Sequence, residues 1–140
     1  MRRGVGVVYV LWDARQETLA GYYSLSTGSV EATHLVGVRT PDLPEELAKG
    51  LPRYDAIPVM LLGRLALSED QRYRGQGLGG VLLVNALRRA RHLSREIGAV
   101  GVIVDAKDET VRSFYERYSF LSFPSQPLRL IIAMGTIDQI

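Results

Sequence analysis

A run of eleven residues with a single charge, Ile57 to Leu67, leads into Arg72-Tyr73-Arg74-Gly75-Gln76-Gly77-Leu78-Gly79-Gly80, and an amphipathic stretch begins where the glycines end. No other feature restricts the fold of this chain as much. The aliphatic run predicts a strand buried on both faces. Beyond the loop, Leu83, Leu87, Ala90, Leu93 and Ile97 recur at helical spacing, with Arg88, Arg91 and Arg95 on other faces, until Gly98 supplies a stop. A strand and a helix joined in this way aim the backbone N–H groups of the loop and the positive end of the helix dipole at one point, which favours an anion. Glycine suits the loop because it reaches positive φ and lets the main chain approach a phosphate with no Cβ between them. Arg72 and Arg74 would add charge. A tight strand-to-helix turn without a ligand accounts less well for four glycines in six residues flanked by arginines.

Around this unit the chain reads as strands and helices in a definite order. Val5 to Trp12 and Thr18 to Ser26 are rich in valine, tyrosine and leucine and are joined by the polar segment Asp13 to Glu17, which predicts a hairpin. Met1-Arg2-Arg3 before the first run resembles the start of a secretion signal. The apolar run is short, however, holds Gly6 and ends at Asp13 without a small-residue cleavage site, so a strand is expected. Val30 to Val38 reads as a short strand. Thr40-Pro41-Asp42-Leu43-Pro44, a helical turn near Glu45 to Lys49, and Pro52 then form a connector. Val100 to Val104 predicts another buried strand, Asp108 to Tyr118 a second helix and Leu128 to Met134 a closing strand. The order implies a mixed sheet of the α/β (α+β) class with a parallel pair around one right-handed crossover. Ligands in such sheets sit beyond the carboxyl ends of the parallel strands, where the glycine loop lies.

Composition sets the outer limits. A chain of this length buries roughly 68% of its unfolded surface, enough for one core without staples, so a single domain over residues 1–140 is expected. Cysteine is absent, and His34 and His92 are too few for most zinc chemistry, so no metal site is expected. No apolar stretch reaches the roughly 18 residues needed to span a bilayer, and a cytoplasmic location fits. The net charge is only +2, yet fifteen of the seventeen basic residues are arginines, whose planar forks suit phosphates. That permits a nucleic-acid partner without requiring one.

The loop alone leaves its ligand open. Gly75, Gly77 and Gly80 satisfy G-x-G-x-x-G and Asp105 ends the next strand, which raises a nicotinamide or flavin nucleotide. Against it, a dinucleotide fold places this unit early and adds a second βαβ half, for which too few residues follow Gly98. A P-loop is excluded because no Gly-Lys-Ser/Thr triplet exists.

Two motifs go further. Arg74-Gly75-Gln76-Gly77-Leu78-Gly79 matches the Arg/Gln-x-x-Gly-x-Gly/Ala signature of the GCN5-related N-acetyltransferases, and Phe114-Tyr115-Glu116-Arg117-Tyr118-Ser119-Phe120 matches their Phe-Tyr-x-x-x-Gly-Phe element. The chain resembles that family from about Val8 to its C-terminus. The resemblance implies a mixed, mostly antiparallel sheet with a central parallel pair and flanking helices, and acetyl-CoA as donor. It implies that Arg72, Arg74, Gly75, Gln76, Gly77, Leu78, Gly79 and Gly80 hold the coenzyme A pyrophosphate, and that main-chain groups of Leu65, Ala66 and Leu67 pair with pantetheine. Asp108 joins the coenzyme-binding set. Tyr115 is implied as the acid that protonates the departing thiolate. Its ordinary pKa near 10 lies only modestly above that of a thiol, near 8.5, and a positioned acid contributes about 10²- to 10⁴-fold in rate. Tyr118 reads as structural. No general base stands out, although Glu69, Asp108, Glu109 and His34 have the chemistry; an α-amine of pKa about 7.7 would need little help from one.

A finer resemblance is to the toxin branch of the family, which acetylates aminoacyl-tRNA and is restrained by a ribbon-helix-helix antitoxin. Its cues are Gly21-Tyr22-Tyr23-Ser24-Leu25, Leu62-Gly63-Arg64-Leu65-Ala66, Val104-Asp105-Ala106 and Arg129-Leu130-Ile131-Ile132-Ala133-Met134-Gly135-Thr136-Ile137. Two departures stand out. Ser119 replaces the usual glycine before Phe120, and the hairpin begins almost at Met1, without the strand and helices that usually help to form the acceptor site. An incomplete acceptor pocket is therefore expected: its missing wall comes from the other half of a homodimer, or the start is truncated, or the domain binds coenzyme A without efficient turnover. An acetyltransferase of a small amine or protein N-terminus, and a non-catalytic acyl-CoA-binding domain, are the alternatives.

Overall fold

The computed structural model describes residues 6–31, 44, 47, 56–73 and 75–140. Residues that favour a pleated surface make Val7–Asp13 (β1) and Thr18–Glu31 (β2) antiparallel partners. Asp13 shapes the turn between them, its carboxylate accepting from the backbone N–H of Arg15 at 3.0 Å and of Gln16 at 3.2 Å. The other carboxylate oxygen accepts from the Tyr73 hydroxyl at 2.6 Å, which ties the hairpin to the approach of the glycine loop. That bond, the largest influence on Asp13, holds its carboxyl below the ordinary carboxylate range.

β2 pairs in turn with Ala56–Leu67 (β3). A short 3₁₀ turn at Gln71–Tyr73 precedes helix α1, Leu78–Ile97, which is followed by Gly101–Asp105 (β4), helix α2 at Glu109–Glu116, Leu121–Phe123 (β5), Gln126–Ala133 (β6) and a last turn of helix, α3, at Met134–Ile137. The six strands lie in the order β1-β2-β3-β4-β6-β5, and every neighbouring pair is antiparallel except β3 and β4. The mixed sheet with its central parallel pair is as expected.

One face of the sheet carries α1 and α2. There Tyr23, Leu25, Met60, Leu62, Val102, Val104, Leu130 and Ile132 pack against Leu83, Ala86, Leu87 and Ala90 of α1 and Tyr115 of α2. Leu83 and Leu87 are fully buried, and each contributes about 1.5–3 kcal/mol relative to an exposed side chain. The far face holds a smaller cluster of Ile57, Val59, Ile103, Phe123 and Ile131, with Leu47 against it. Gly98 ends α1 in the left-handed region, its N–H donating to the Ser94 carbonyl at 2.8 Å. Among the described residues no helix is long and apolar enough to cross a membrane.

Several boundaries differ from expectation. β2 runs on to Glu31, taking in the start of the segment read as a separate strand from Val30. The remainder to Val38, with His34 and most of the connector, lies outside the described residues. Ile97, expected on the buried stripe, is exposed, and it borders an open hollow with Val7, Tyr9, Leu25 and Met60 of the sheet. α2 stops at Glu116, so Tyr118 stands in the turn after it. β5 and α3 were not anticipated; each is too short for periodicity to register.

Candidate active site

β3 and β4 are neighbours at Met60–Val102 and Leu61–Ile103 and nowhere beyond. After those pairs the strands separate and leave a gap. The cause lies in β3, where Leu25 pairs with Leu62 but Ser24 pairs with Arg64, so that Gly63 is an extra residue. Such a bulge bends its strand and increases its twist. A Cβ at Gly63 would lie 2.8 Å from Ser24 Oγ, so a larger residue there would require that hydroxyl to turn away. Past the bulge, Leu65 and Leu67 return to the α1 face. Ser68 N–H donates to the Ala20 carbonyl at 2.7 Å, and strand backbone groups alternate in direction. The main-chain groups of Ala66 therefore also turn toward β2, while those of Leu65 and Leu67 turn into the gap. They are available to an extended polar ligand.

The glycine loop stands at the end of this gap. Gly77 caps α1 with φ 69°, and Gly75 has φ 70°; a Cβ at either would meet nothing within 4 Å. It is the backbone conformation that calls for glycine at these two positions, and the surface over them is open. No side chain caps α1, so the first N–H groups of the helix, from Leu78 onward, point outward without a side-chain partner. Gly80 has another reason: a Cβ there would collide with the Tyr118 hydroxyl. The Gln76 amide donates to the Arg72 carbonyl and closes the loop on itself. Arg72 is already engaged, its guanidinium meeting Asp70 at 2.7 and 3.1 Å. Arg74 lies outside the described residues.

Tyr115 faces the same gap. A cleft of about 380 Å³ is lined by Leu65, Ala66 and Leu67 from β3, Gly79 from α1, and Thr110, Val111, Phe114, Tyr115 and Arg117 from α2 and its end. Tyr115 is 6% exposed, and its ring meets Phe114 edge-on at 5.3 Å and Phe120 at 5.2 Å. Burial pushes its phenol above the ordinary value, because the phenolate would be poorly solvated. Among the described residues its hydroxyl has no hydrogen-bond partner. A second hollow of about 460 Å³, on the other side of the loop, is lined by Gly77, Gly80, Val81, Val84, Asn85, Arg88 and Tyr118.

The structure thus brings Leu65, Ala66, Leu67, Gly79 and Tyr115 around one cleft, while Gly77 and Gly80 border its neighbour. Asp108 serves α2 as its N-cap, accepting from Val111 N–H at 2.9 Å. Glu109 is paired with Arg112, and Glu69 is exposed. Sequence reasoning missed Val111, Phe114 and Arg88. The first was legible, since Val111 precedes Tyr115 by one helical turn and shares its face. Arg88, placed by the periodicity off the apolar stripe of α1, borders the second hollow. Such an arrangement can hold an extended chain along β3 with an anion at the loop, and can deliver a proton from Tyr115.

No family model matches the chain. It is 31% identical to a probable toxin TacT of Sinorhizobium fredii, over 93% of this chain and 70% of that protein. It is 33% identical to a tRNA-acetylating toxin of Mycobacterium tuberculosis, over 86% of this chain and 65% of that one, so it spans about two thirds of the relatives it matches. Among solved structures it resembles AtaT complexed with acetyl-methionyl-tRNAfMet, with TM-score 0.77 and 26% identity over 96% of this chain and 75% of that one. It also resembles AtaTR bound with acetyl-CoA, with TM-score 0.75 and 27% identity over 96% and 74%.

Proposed function

Because the chain belongs to the toxin branch of the GCN5-related N-acetyltransferases, we propose that it moves an acetyl group from acetyl-CoA to the α-amine of aminoacyl-tRNA, which blocks translation. The observation that carries this reading is the gap beyond Leu61 and Ile103, with exposed loop amides at its end and the Tyr115 hydroxyl in its wall. The fit is specific. Leu65 and Leu67 offer the alternating main-chain groups that a pantetheine arm can pair with, and the left-handed Gly75 and Gly77 leave room for a pyrophosphate over the start of α1. Arg88 in the adjoining hollow suits the charged nucleotide end.

Acetyl-CoA supplies the acyl group as a thioester. The transfer forms one C–N bond and breaks one C–S bond; the departing sulfur takes the Tyr115 Oη proton, and the proton shed by nitrogen passes to water, from which Tyr115 is restored. Burial serves this role, because a phenol kept protonated remains ready as an acid across the neutral range. Asp108 and Arg72, expected on the coenzyme, act at one remove, by starting α2 and by bracing the approach to the loop through Asp70. An antitoxin partner and a homodimer belong to the same reading, as does action in the cytoplasm, where charged tRNA is found.

Incubating the protein with acetyl-CoA and a pool of charged tRNA should add one acetyl group per aminoacyl end, read by mass spectrometry. Tyr115→Phe should slow the addition about 10²- to 10⁴-fold. Acetyl-CoA turnover on small amines with no change in charged tRNA would reject the tRNA acceptor.

A further inference from the structure

The far face of the sheet is apolar where it is covered, with Ile57, Val59, Leu61, Ile103 and Ile131 in one cluster. At the gap it turns polar. Leu61 and Ile103 are the last parallel pair, and both lie on this face. The next far-face side chain on the β3 bank is Arg64, since Leu62 and Leu65 both pack on the α1 face and the bulge leaves Gly63 and Arg64 between them. On the β4 bank it is Asp105, with Arg129 of β6 as its cross-strand partner. Arg64 and Asp105 thus stand on the two banks of the gap on the side opposite Tyr115, with Arg129 one strand behind Asp105.

The charges are incompletely satisfied. Arg129 Nε lies 3.6 Å from Asp105 Oδ1, within ion-pair range but too far for a hydrogen bond. Nε is buried and has no hydrogen-bond partner among the described residues, while the guanidinium lies 5.6 Å from the Phe123 ring centre. The Asp105 side chain is 73% exposed. Arg64 is exposed and without an ion-pair partner among the described residues. An exposed cross-strand ion pair contributes little to stability, and a buried Nε left without a partner detracts from it. Neither is a reason for the fold to hold these residues here.

We propose that Arg64, Asp105 and Arg129 form the acceptor subsite, Asp105 receiving the α-amino group and the two arginines the phosphodiester of the terminal nucleotide. The assignment rests on the acetyl-transfer reading above. A donor lying along Leu65 and Leu67 within reach of Tyr115 occupies the α1 side of the gap, so the attacking nitrogen comes from the side the donor leaves free. An aminoacyl end brings a positive ammonium close to negative phosphates. A carboxylate between two guanidinium groups is the complement of that pattern.

Steady-state kinetics with two acceptors test the assignment: a pool of charged tRNA, and an amino acid methyl ester, which keeps the amine and lacks phosphate. Arg64→Ala and Arg129→Gln should each raise KM for charged tRNA at least tenfold, leave KM for the ester unchanged, and flatten the dependence of log affinity on log salt by about one charge. Asp105→Asn should raise KM for both acceptors, with partial rescue by Asp105→Glu, and KM for acetyl-CoA should stay constant throughout. Arg64 is exposed, so its variant keeps the test valid if Arg129→Gln folds poorly. Acceptor KM unchanged in all three variants, or KM for acetyl-CoA rising in step, overturns the subsite. If the unaltered protein acetylates the ester but no tRNA, the tRNA reading fails and Asp105→Asn still decides the amine position; a protein that acetylates neither ends both.

Discussion

Tyr115 and Ser119 sit four residues apart and show opposite effects of the same packing. Tyr115 is held in the cleft wall between Phe114 and Phe120, and desolvation raises its pKa. A phenol whose pKa is higher in the fold than in the unfolded chain contributes stability that is fully present below about pH 10 and is lost as pH rises through the folded value. An acid of this kind therefore limits activity only above about pH 10. The alkaline limb of kcat should lie there in the unaltered protein and vanish from the residual activity of Tyr115→Phe; a Tyr115-dependent limb near neutrality would exclude it as the acid. Ser119 has φ 73°, in the left-handed region that glycine adopts freely. The glycine usual at this place in the family motif is thus explained by backbone geometry. Ser119→Gly should relieve the strain and raise stability by about 0.5–1 kcal/mol, or Tm by about 2–4 °C, in thermal unfolding. A fall in Tm would mean that the turn draws on the serine side chain.

At the scale of elements, the unit from β3 to α1 was legible because three independent signals agreed: an aliphatic run, a glycine cluster and a helical stripe. The gap beside β3 was not, since separation of two strands depends on a bulge at Gly63, and one glycine in a strand does not reveal which partner it will approach. The cleft residues contributed by α2 were half legible. Tyr115 followed from the motif, whereas the packing of Thr110 and Arg117 beside β3 depends on how α2 lies on the sheet. Asp108 shows the limit of carrying a role over by resemblance. The resemblance places it with the coenzyme, and in the fold its carboxylate accepts from Val111 N–H as the N-cap of an eight-residue helix, a role that residue type and position explain without a ligand. Asp108→Ala should cost about 1 kcal/mol in denaturant unfolding, and Asp108→Ser, which also caps, should restore most of it. If capping is its whole contribution, acetyl-CoA affinity measured by calorimetry will be the same for Asp108→Ser and the unaltered protein. A tenfold loss in Asp108→Ser would show that the carboxylate also meets the coenzyme.

At the scale of the whole molecule, the sheet ends in two strands, β1 and β5, that no described residue pairs on the outer side, and β1 is the longer. Along β1, Val8, Val10 and Trp12, which alternate with the packed Tyr9 and Leu11, are 57%, 61% and 57% exposed on the far face of the sheet. Natural edge strands are usually blunted by charges, prolines or bulges facing outward. From Val7 to Trp12 this strand has no charged residue, so two copies aligned antiparallel along β1 would place no like charges opposite one another. Such an edge suits the homodimer proposed above, and it lies at the end of the sheet, separated from the gap by β2 and β3. A lysine in the middle of the strand should then act on assembly alone. Val10→Lys is expected to convert a dimer to a monomer in sedimentation velocity while leaving acetyl-CoA affinity unchanged, since β2 and β3 stand between Val10 and the gap. If the unaltered protein sediments as a monomer, or Val10→Lys remains a dimer, the copies do not meet along β1; if the variant loses acetyl-CoA affinity as it dissociates, assembly and the donor site are coupled through β2.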